Sequence, residues 1–315
     1  MKQLQSYNEF TFIKWLRQQV EPGPDVLIGI GDDAAHVECS TGSYLITTDM
    51  LLEGTHFTED AGWRLVGRKA MAVSLSDMAA MAGRPKFAVC AVGLSEQKQP
   101  EDARKIFQGM QEIAADFGCQ IVGGDLSSWT QPTVICTTVF GEPTGTKPIK
   151  RSGAVAGDRI LVTGELGGST AGKHLDFLPR VIEGIYLNQN YELHACIDIS
   201  DGLGQDLGHI LEESDVGAII YSGSVPISKA AVKEAAKSGK QPLEHALGDG
   251  EDFELLFTMP PEESERLLTD KEFGTQVSVI GGITGGGYII QNPDGRVRKY
   301  KPEGYAHFRK AGKVS

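Results

Sequence analysis

The chain has 315 residues, with 30 Lys and Arg against 42 Asp and Glu for a formal charge of −12, 40% hydrophobic residues and 39 glycines. An acidic chain without a Lys/Arg block is excluded as a default nucleic-acid binder, because counterion-release binding needs a basic surface. No run approaches the ~20 apolar residues of a membrane span, and "MKQLQSYNEF" lacks a signal-type apolar core, so the expectation is a cytoplasmic protein of two domains.

In chain order, "NEFTFIKWLRQQV" predicts a helix capped by Asn8, with Phe12, Ile13, Leu16 and Val20 on one stripe. "VLIGI" and "SYLITTDML" predict strands joined through the Asp32-Asp33 loop, and "WRLVGRKAMAVSLSDMAAMAG" predicts a long helix. Strand "KFAVCAVGL", helix "PEDARKIFQGMQEIAADFG" and strands around "CQIVGG" and "TVICTTVFGE" follow, so the first half reads ββαβαββ. "PTGTKPIKRSGAVAGD", rich in Pro, Gly and Lys, marks a linker at 143–157 between domains 1–142 and 158–315. Beyond it the pattern predicts strand "RILVTGEL", helix "GSTAGKHLDFL" and a strand turning into a helix in "ACIDISDGLGQDLGHILEES". Strand "VGAIIYS", helix "SKAAVKEAAKSG", strand "EDFELLFTM", helix "PEESERLLTD" and the strand pair "VSVIGGI" and "GGYIIQ" complete an α/β half. Cys39, Cys90, Cys119, Cys136 and Cys196 form no C-x-x-C pair, which fits small buried hydrophobes in a reducing cytoplasm.

Two stretches imitate phosphate-binding motifs. "GIGDDA" at 29–34 fits G-x-G-x-x-A, but only twelve residues separate Gly31 from the strand at Tyr44, too few for the helix that should receive a pyrophosphate. Two adjacent aspartates would also repel it. "GGSTAGKH" at 167–174 fits G-x-x-x-x-G-K, yet His174 stands where Ser or Thr must bind Mg²⁺. It reads as a Gly-rich turn that packs a helix tightly.

A different pattern recurs. Asp32-Asp33, Asp49, Asp125, Asp198 and Asp201 stand beside Gly, Ser or Thr at the ends of apolar runs, and Asp77 lies inside the long helix with Val73 and Met81 on its face. A carboxylate buried there needs a cation, a hydrogen-bond network or a metal. Mg²⁺ prefers hard oxygen ligands, one or two carboxylates at a time, with substrate phosphates. Scattered aspartates suit that arrangement and not a calcium loop. Gly123-Gly124-Asp125 and Asp201-Gly202-Leu203-Gly204 leave backbone N–H groups open to phosphate oxygens, and Thr47, Thr48 and Ser200 offer hydroxyls. Asp32 reads equally as a turn residue, His56 as a packed histidine and Arg151 as an exposed linker residue. Alternation along "EDFE" would put Glu251 on one strand face with Phe253.

Seven stretches resemble the thiamine-monophosphate kinase family, within the wider aminoimidazole ribonucleotide synthetase and selenophosphate synthetase superfamily. They are "GIGDDAA", "TTDMLLEGTHF", "RKAMAVSLSDMAAMAGRP", "IVGGDLS", "RSGAVAGD", "IDISDGLGQDLGHI" and "GEDFELLF", in the family's order over 29–257. The resemblance implies an α+β fold of two α/β domains, the N-terminal one forming a barrel across a homodimer. It implies ATP and several Mg²⁺ ions in the cleft, and phosphorylation of thiamine monophosphate to thiamine diphosphate by direct in-line transfer. By motif, Asp33, Thr47, Thr48, Asp49, Asp77, Asp125, Asp198 and Asp201 correspond to metal ligands. Gly124, Asp125, Arg151 and Ser200 correspond to ATP contacts, and His56, Glu251 and Tyr305 to substrate contacts. Asp249 departs from the pattern, since many relatives have Gly before "GED". A selenophosphate synthetase would need a reactive Cys in an N-terminal segment, whereas the first here is Cys39. A dimeric module that binds Mg²⁺ without turning over ATP is the alternative from another class.

Overall fold

The computed structural model describes residues 9–301. Its first half runs α1 (Glu9–Gln19), β1 (Val26–Ile28), β2 (Ala35–Cys39), β3 (Gly42–Leu52), α2 (Trp63–Ala80), β4 (Gly83–Ser95), α3 (Pro100–Asp116), β5 (Gln120–Trp129) and β6 (Val134–Pro143). These strands form one sheet in the order β1-β2-β3-β6-β4-β5. All neighbours are antiparallel except β4 and β5, whose parallel pairing requires a crossover, here α3.

Apart from Arg64, Arg68, Lys69 and Asp77, α2 is made of small and apolar residues, which predicts burial of nearly every face, and fourteen of its eighteen residues are buried. Its crossing with α3 is set by two glycines. A Cβ on Gly67 would lie 1.9 Å from the Ile106 carbonyl oxygen, and one on Gly109 1.9 Å from that of Arg64. Any side chain at either position would push the helices apart.

The second half runs β7 (Arg159–Thr163), α4 (Lys173–Asp176), α5 (Val181–Asn190), β8 (Ala195–Asp198), α6 (Leu203–Ser214), β9 (Gly217–Tyr221), α7 (Lys229–Ser238), α8 (Pro242–Gly248), β10 (Leu255–Met259), α9 (Pro261–Thr269), β11 (Val277–Thr284), β12 (Tyr288–Gln291) and β13 (Val297–Lys299). Its sheet has the order β13-β12-β9-β11-β7-β10-β8. Strand alternation sends Leu161, Cys196 and Phe257 into a core shared with α2 and α5. Ile160, Val162, Ile197 and Leu256 go into a second core under α6 and α8. Helix α2 therefore lies between the two sheets. Neither sheet closes on itself.

The two-domain α+β expectation holds, with local corrections. "AHVEC" is a third strand before α2, because the Asp32-Asp33 loop turns directly into a hairpin with β3. The helix expected over "GSTAGKHLDFL" is a short 3-10 turn and the four-residue α4, broken at Gly172. Helices α5 and α8 were not anticipated. The strand expected over "EDFELLFTM" begins only at Leu255, since Glu251 (φ 56°) and Phe253 (φ 50°) are left-handed. Glu251 and Phe253 therefore do not share a strand face. Cys90, Cys119 and Cys196 are buried thiols, as expected, while Cys39 is exposed and Cys136 intermediate. No helix among the described residues is long and apolar enough to cross a membrane.

Candidate active site

Four carboxylates meet where α2 passes between the sheets. Asp33 comes from the β1–β2 loop, Asp49 from β3, Asp77 from α2 and Asp198 from the end of β8. Carboxylate oxygens of Asp33, Asp77 and Asp198 all lie within 4.8 Å of one another. Hydroxyls tie the group to the fold. Ser74 Oγ donates to Asp49 Oδ2 at 2.8 Å, Ser76 Oγ to Asp198 Oδ2 at 2.6 Å, and the Thr47 hydroxyl to Asp77. Ser74 and Ser76 thus join α2 to one sheet each.

The electrostatics are unfavourable without a cation. Burial raises the Asp77 carboxyl well above its ordinary value, and repulsion from Asp49, Asp198 and Asp33 raises it further. Asp198 is pushed up to about 7 by burial and by Asp33, against the pull of Ser76 and Arg151. Burial also raises Asp49. Arg151 is the one cation bonded to the group among the described residues: its Nη2 donates to Asp33 Oδ1 at 2.8 Å and its Nε to Oδ2 at 3.2 Å. Asp32 has a separate task, accepting the Arg151 backbone N–H at 2.8 Å and so tying the segment around Arg151 to the loop.

Other expected residues fall elsewhere. Thr48 lies on the opposite face of β3, against Thr138 and Cys136. Gly124 and Asp125 are on the edge strand β5, and Asp125 is exposed and bonded to Ser127. A Cβ at Gly124 would sit 1.8 Å from the Cys90 carbonyl oxygen, so strand packing by itself already demands glycine there. Asp201 stands with Asp206 and His209 in a second group, its N–H donating to Asp206 Oδ2 at 3.1 Å. The Ser200 carbonyl accepts the Glu251 N–H at 2.7 Å. His56 Nδ1 accepts the Leu52 N–H at 2.9 Å, which leaves the proton of the neutral ring on Nε2. Tyr305 lies outside the described residues.

The P-loop-like turn is closed from within. The Gly167 N–H donates to both Asp252 oxygens at 2.9 Å, the Ser169 hydroxyl also reaches Asp252, and the Gly168 N–H donates to Asp249 at 3.2 Å. Lys173 pairs with Glu254 at 2.8 Å. Sequence reasoning missed Ser74, Ser76, Lys69, Asp206 and His209. For the α2 residues the one available signal was a polar side chain in a helix otherwise small and apolar.

Residues 31–142 match the family model of the AIR synthase related protein N-terminal domain, and residues 155–291 that of the C-terminal domain. This sets the class of protein: the two halves with the carboxylates between them have the AIR synthase related architecture. The thiamine-monophosphate kinase of Rhodopirellula baltica is 38% identical over 309 residues, covering 95% of this chain and 97% of the relative. That of Aquifex aeolicus is 32% identical, covering 97% and 99%. A solved structure, AaThiL complexed with AMPPCP and TMP, superposes with a TM-score of 0.83 at 31% identity, covering 98% of this chain and 99% of the other. The chain belongs to the thiamine-monophosphate kinase family.

Proposed function

We propose that this chain transfers the γ-phosphoryl group of ATP to thiamine monophosphate, giving thiamine diphosphate and ADP. The convergence of Asp33, Asp77 and Asp198 within 4.8 Å carries the reading. The likeness to relatives of that name, and to a structure holding AMPPCP and TMP, supports it. The donor set fits Mg²⁺: hard oxygens, buried or half-buried, with Asp49, Asp77 and Asp198 all shifted toward protonation. Asp33, Thr47, Asp49, Asp77 and Asp198 would hold several such ions. Thr48, Asp125 and Asp201 are assigned to further ions by their motifs alone. Bound there, Mg²⁺ supplies positive charge against the repulsion between two phosphate groups, roughly 4 kcal/mol per charge pair at about 4 Å and an effective dielectric of about 20.

The chain's own groups do the positioning. The His56 Nε2–H suits a phosphate oxygen of the acceptor, and the Glu251 carboxylate suits the cationic thiazolium ring. Tyr305 is assigned to the same substrate. Gly124, Asp125, Arg151 and Ser200 are assigned to ATP. An acceptor oxygen, already anionic, attacks the γ-phosphorus while its bond to the β–γ bridging oxygen breaks, and ADP leaves with that electron pair. No general base is needed and no phospho-enzyme forms. Inversion at a chirally labelled γ-phosphorus supports this course, and retention refutes it.

We further infer a homodimer closing a barrel through the N-terminal sheet, a division at 1–142, 143–157 and 158–315, and a cytoplasmic setting. The dimer rests on β5, an edge strand exposed along its length with Val122, Leu126 and Trp129 open, since long apolar edges attract a second chain. A groove of about 740 Å³ runs between it and α3. Sedimentation velocity should give a dimer for wild type and a monomer for Leu126→Lys; a monomeric wild type sinks the inference. The reaction itself is tested by ³¹P NMR with ATP, Mg²⁺ and thiamine monophosphate. Wild type should yield thiamine diphosphate and Asp77→Asn on the order of 10²–10³-fold less per unit time. Phosphate release alone refutes the assignment.

A further inference from the structure

Lys69 is among the largest fully buried side chains of the described residues, 0% exposed in the middle of α2. An ammonium group out of water is costly unless it is paired, and an apolar side chain of similar volume would fill the same space without that cost. Its partners therefore indicate what the charge does. Lys69 Nζ donates to Glu251 Oε1 at 2.6 Å and to the His56 carbonyl oxygen at 2.6 Å. These partners come from different halves of the chain: the turn after β3, and the left-handed turn before β10.

Glu251 is thereby held twice. Its backbone, at φ 56°, donates to the Ser200 carbonyl, and its carboxylate is fixed by Lys69. Lys69 is closed to solvent while 23% of the Glu251 side chain stays open, so a ligand can reach Glu251 but not Lys69. His174 completes the surroundings, close enough for its imidazole to feel the charges of both Lys69 and Glu251.

We propose that Lys69 is a positioning residue that orients Glu251 and the His56 turn toward the phosphate acceptor, and so governs binding of the acceptor rather than of ATP. This rests on Glu251 and His56 being acceptor contacts in the function proposed above. The test is a double-mutant cycle of Lys69→Met, Glu251→Gln and the double variant, with KM measured for each substrate. Lys69→Met should raise KM for thiamine monophosphate about tenfold or more and leave KM for ATP within about twofold. The double variant should lose clearly less than the product of the two single losses, because both changes remove the Lys69–Glu251 pair while only Lys69→Met also frees the His56 turn. Equal rises in both KM values, or losses that multiply in the double variant, overturn the proposal. If Lys69→Met does not fold, the double variant, which removes both charges, is compared with Glu251→Gln. If that also fails to fold, the pair belongs to the core and the proposal falls. A wild type that makes no thiamine diphosphate instead refutes the functional reading, and this inference with it.

Discussion

Asp198 ends β8 opposite Leu255, the first residue of β10, and Glu254 immediately precedes Leu255; the two acids are 3% and 2% exposed, and their electrostatic fates are opposite. Glu254 accepts two bonds from Arg180, one from Lys173 and one from Thr163. Burial works against its charge, but Arg180 and Lys173 outweigh it and hold the carboxyl below its ordinary value. Asp198 has only the Ser76 hydroxyl and a more distant Arg151 to set against burial and Asp33, and it rises to about 7. A buried acid with its partners built in is finished as structure. One left short of positive charge is prepared for a ligand that brings it.

The largest expected effect lies on the satisfied side. Arg180→Met strips Glu254 of two bonds but leaves Lys173 and Thr163, and should cost about 2–4 kcal/mol of stability. Urea unfolding measures it, and the loss should be the same with Mg²⁺ or chelator. A loss under about 1 kcal/mol would make Glu254 no better satisfied than Asp198.

On the unsatisfied side the sign reverses. Asp77→Asn removes a charge that burial and three neighbours oppose, so in chelator it should stabilise the protein by on the order of 1–3 kcal/mol while impairing turnover. Calorimetry in EDTA decides, and destabilisation would mean that Asp77 is a structural acid.

The pH dependence follows from the same contrast. Between the ordinary value of 3.8 and about 7, folded Asp198 binds more protons than the unfolded chain does. Metal-free stability should therefore fall as pH rises across that window, at most about 1.4 kcal/mol per pH unit for this group. Glu254 behaves oppositely: its contribution is complete above its ordinary value of 4.5 and is lost as pH falls through its lowered one. Thermal melts in EDTA from pH 4 to 8 should show the decline, and added Mg²⁺ should flatten it. A metal-free curve that rises over this range contradicts the assignment.

Much of this was readable in one dimension. Helices α3, α7 and α9 follow from periodicity and punctuation; α7, for example, starts at Ser228, whose hydroxyl accepts the Ala231 N–H, and stops at left-handed Gly239. Asp33, Asp49, Asp77 and Asp198 were singled out by their small and polar neighbours, and they converge. Gly124, read as an opening for phosphate, also has a packing demand that the sequence did not show, the approach of the Cys90 carbonyl. Glu251 looked like a strand residue, but its turn is made by backbone bonds to residues 199–200, some fifty positions earlier.

Local chemistry in the sequence determined the helices, the strands and which aspartates sit in apolar surroundings, because propensity and periodicity act over a few residues. Whether a buried acid is neutralised was settled only in three dimensions, because the cation that decides it comes from far along the chain. Arg180 reaches Glu254 across 74 positions and Arg151 reaches Asp33 across 118, while Lys69 joins Glu251 across 182. No spacing rule spans such distances; the packing of two sheets on one helix does.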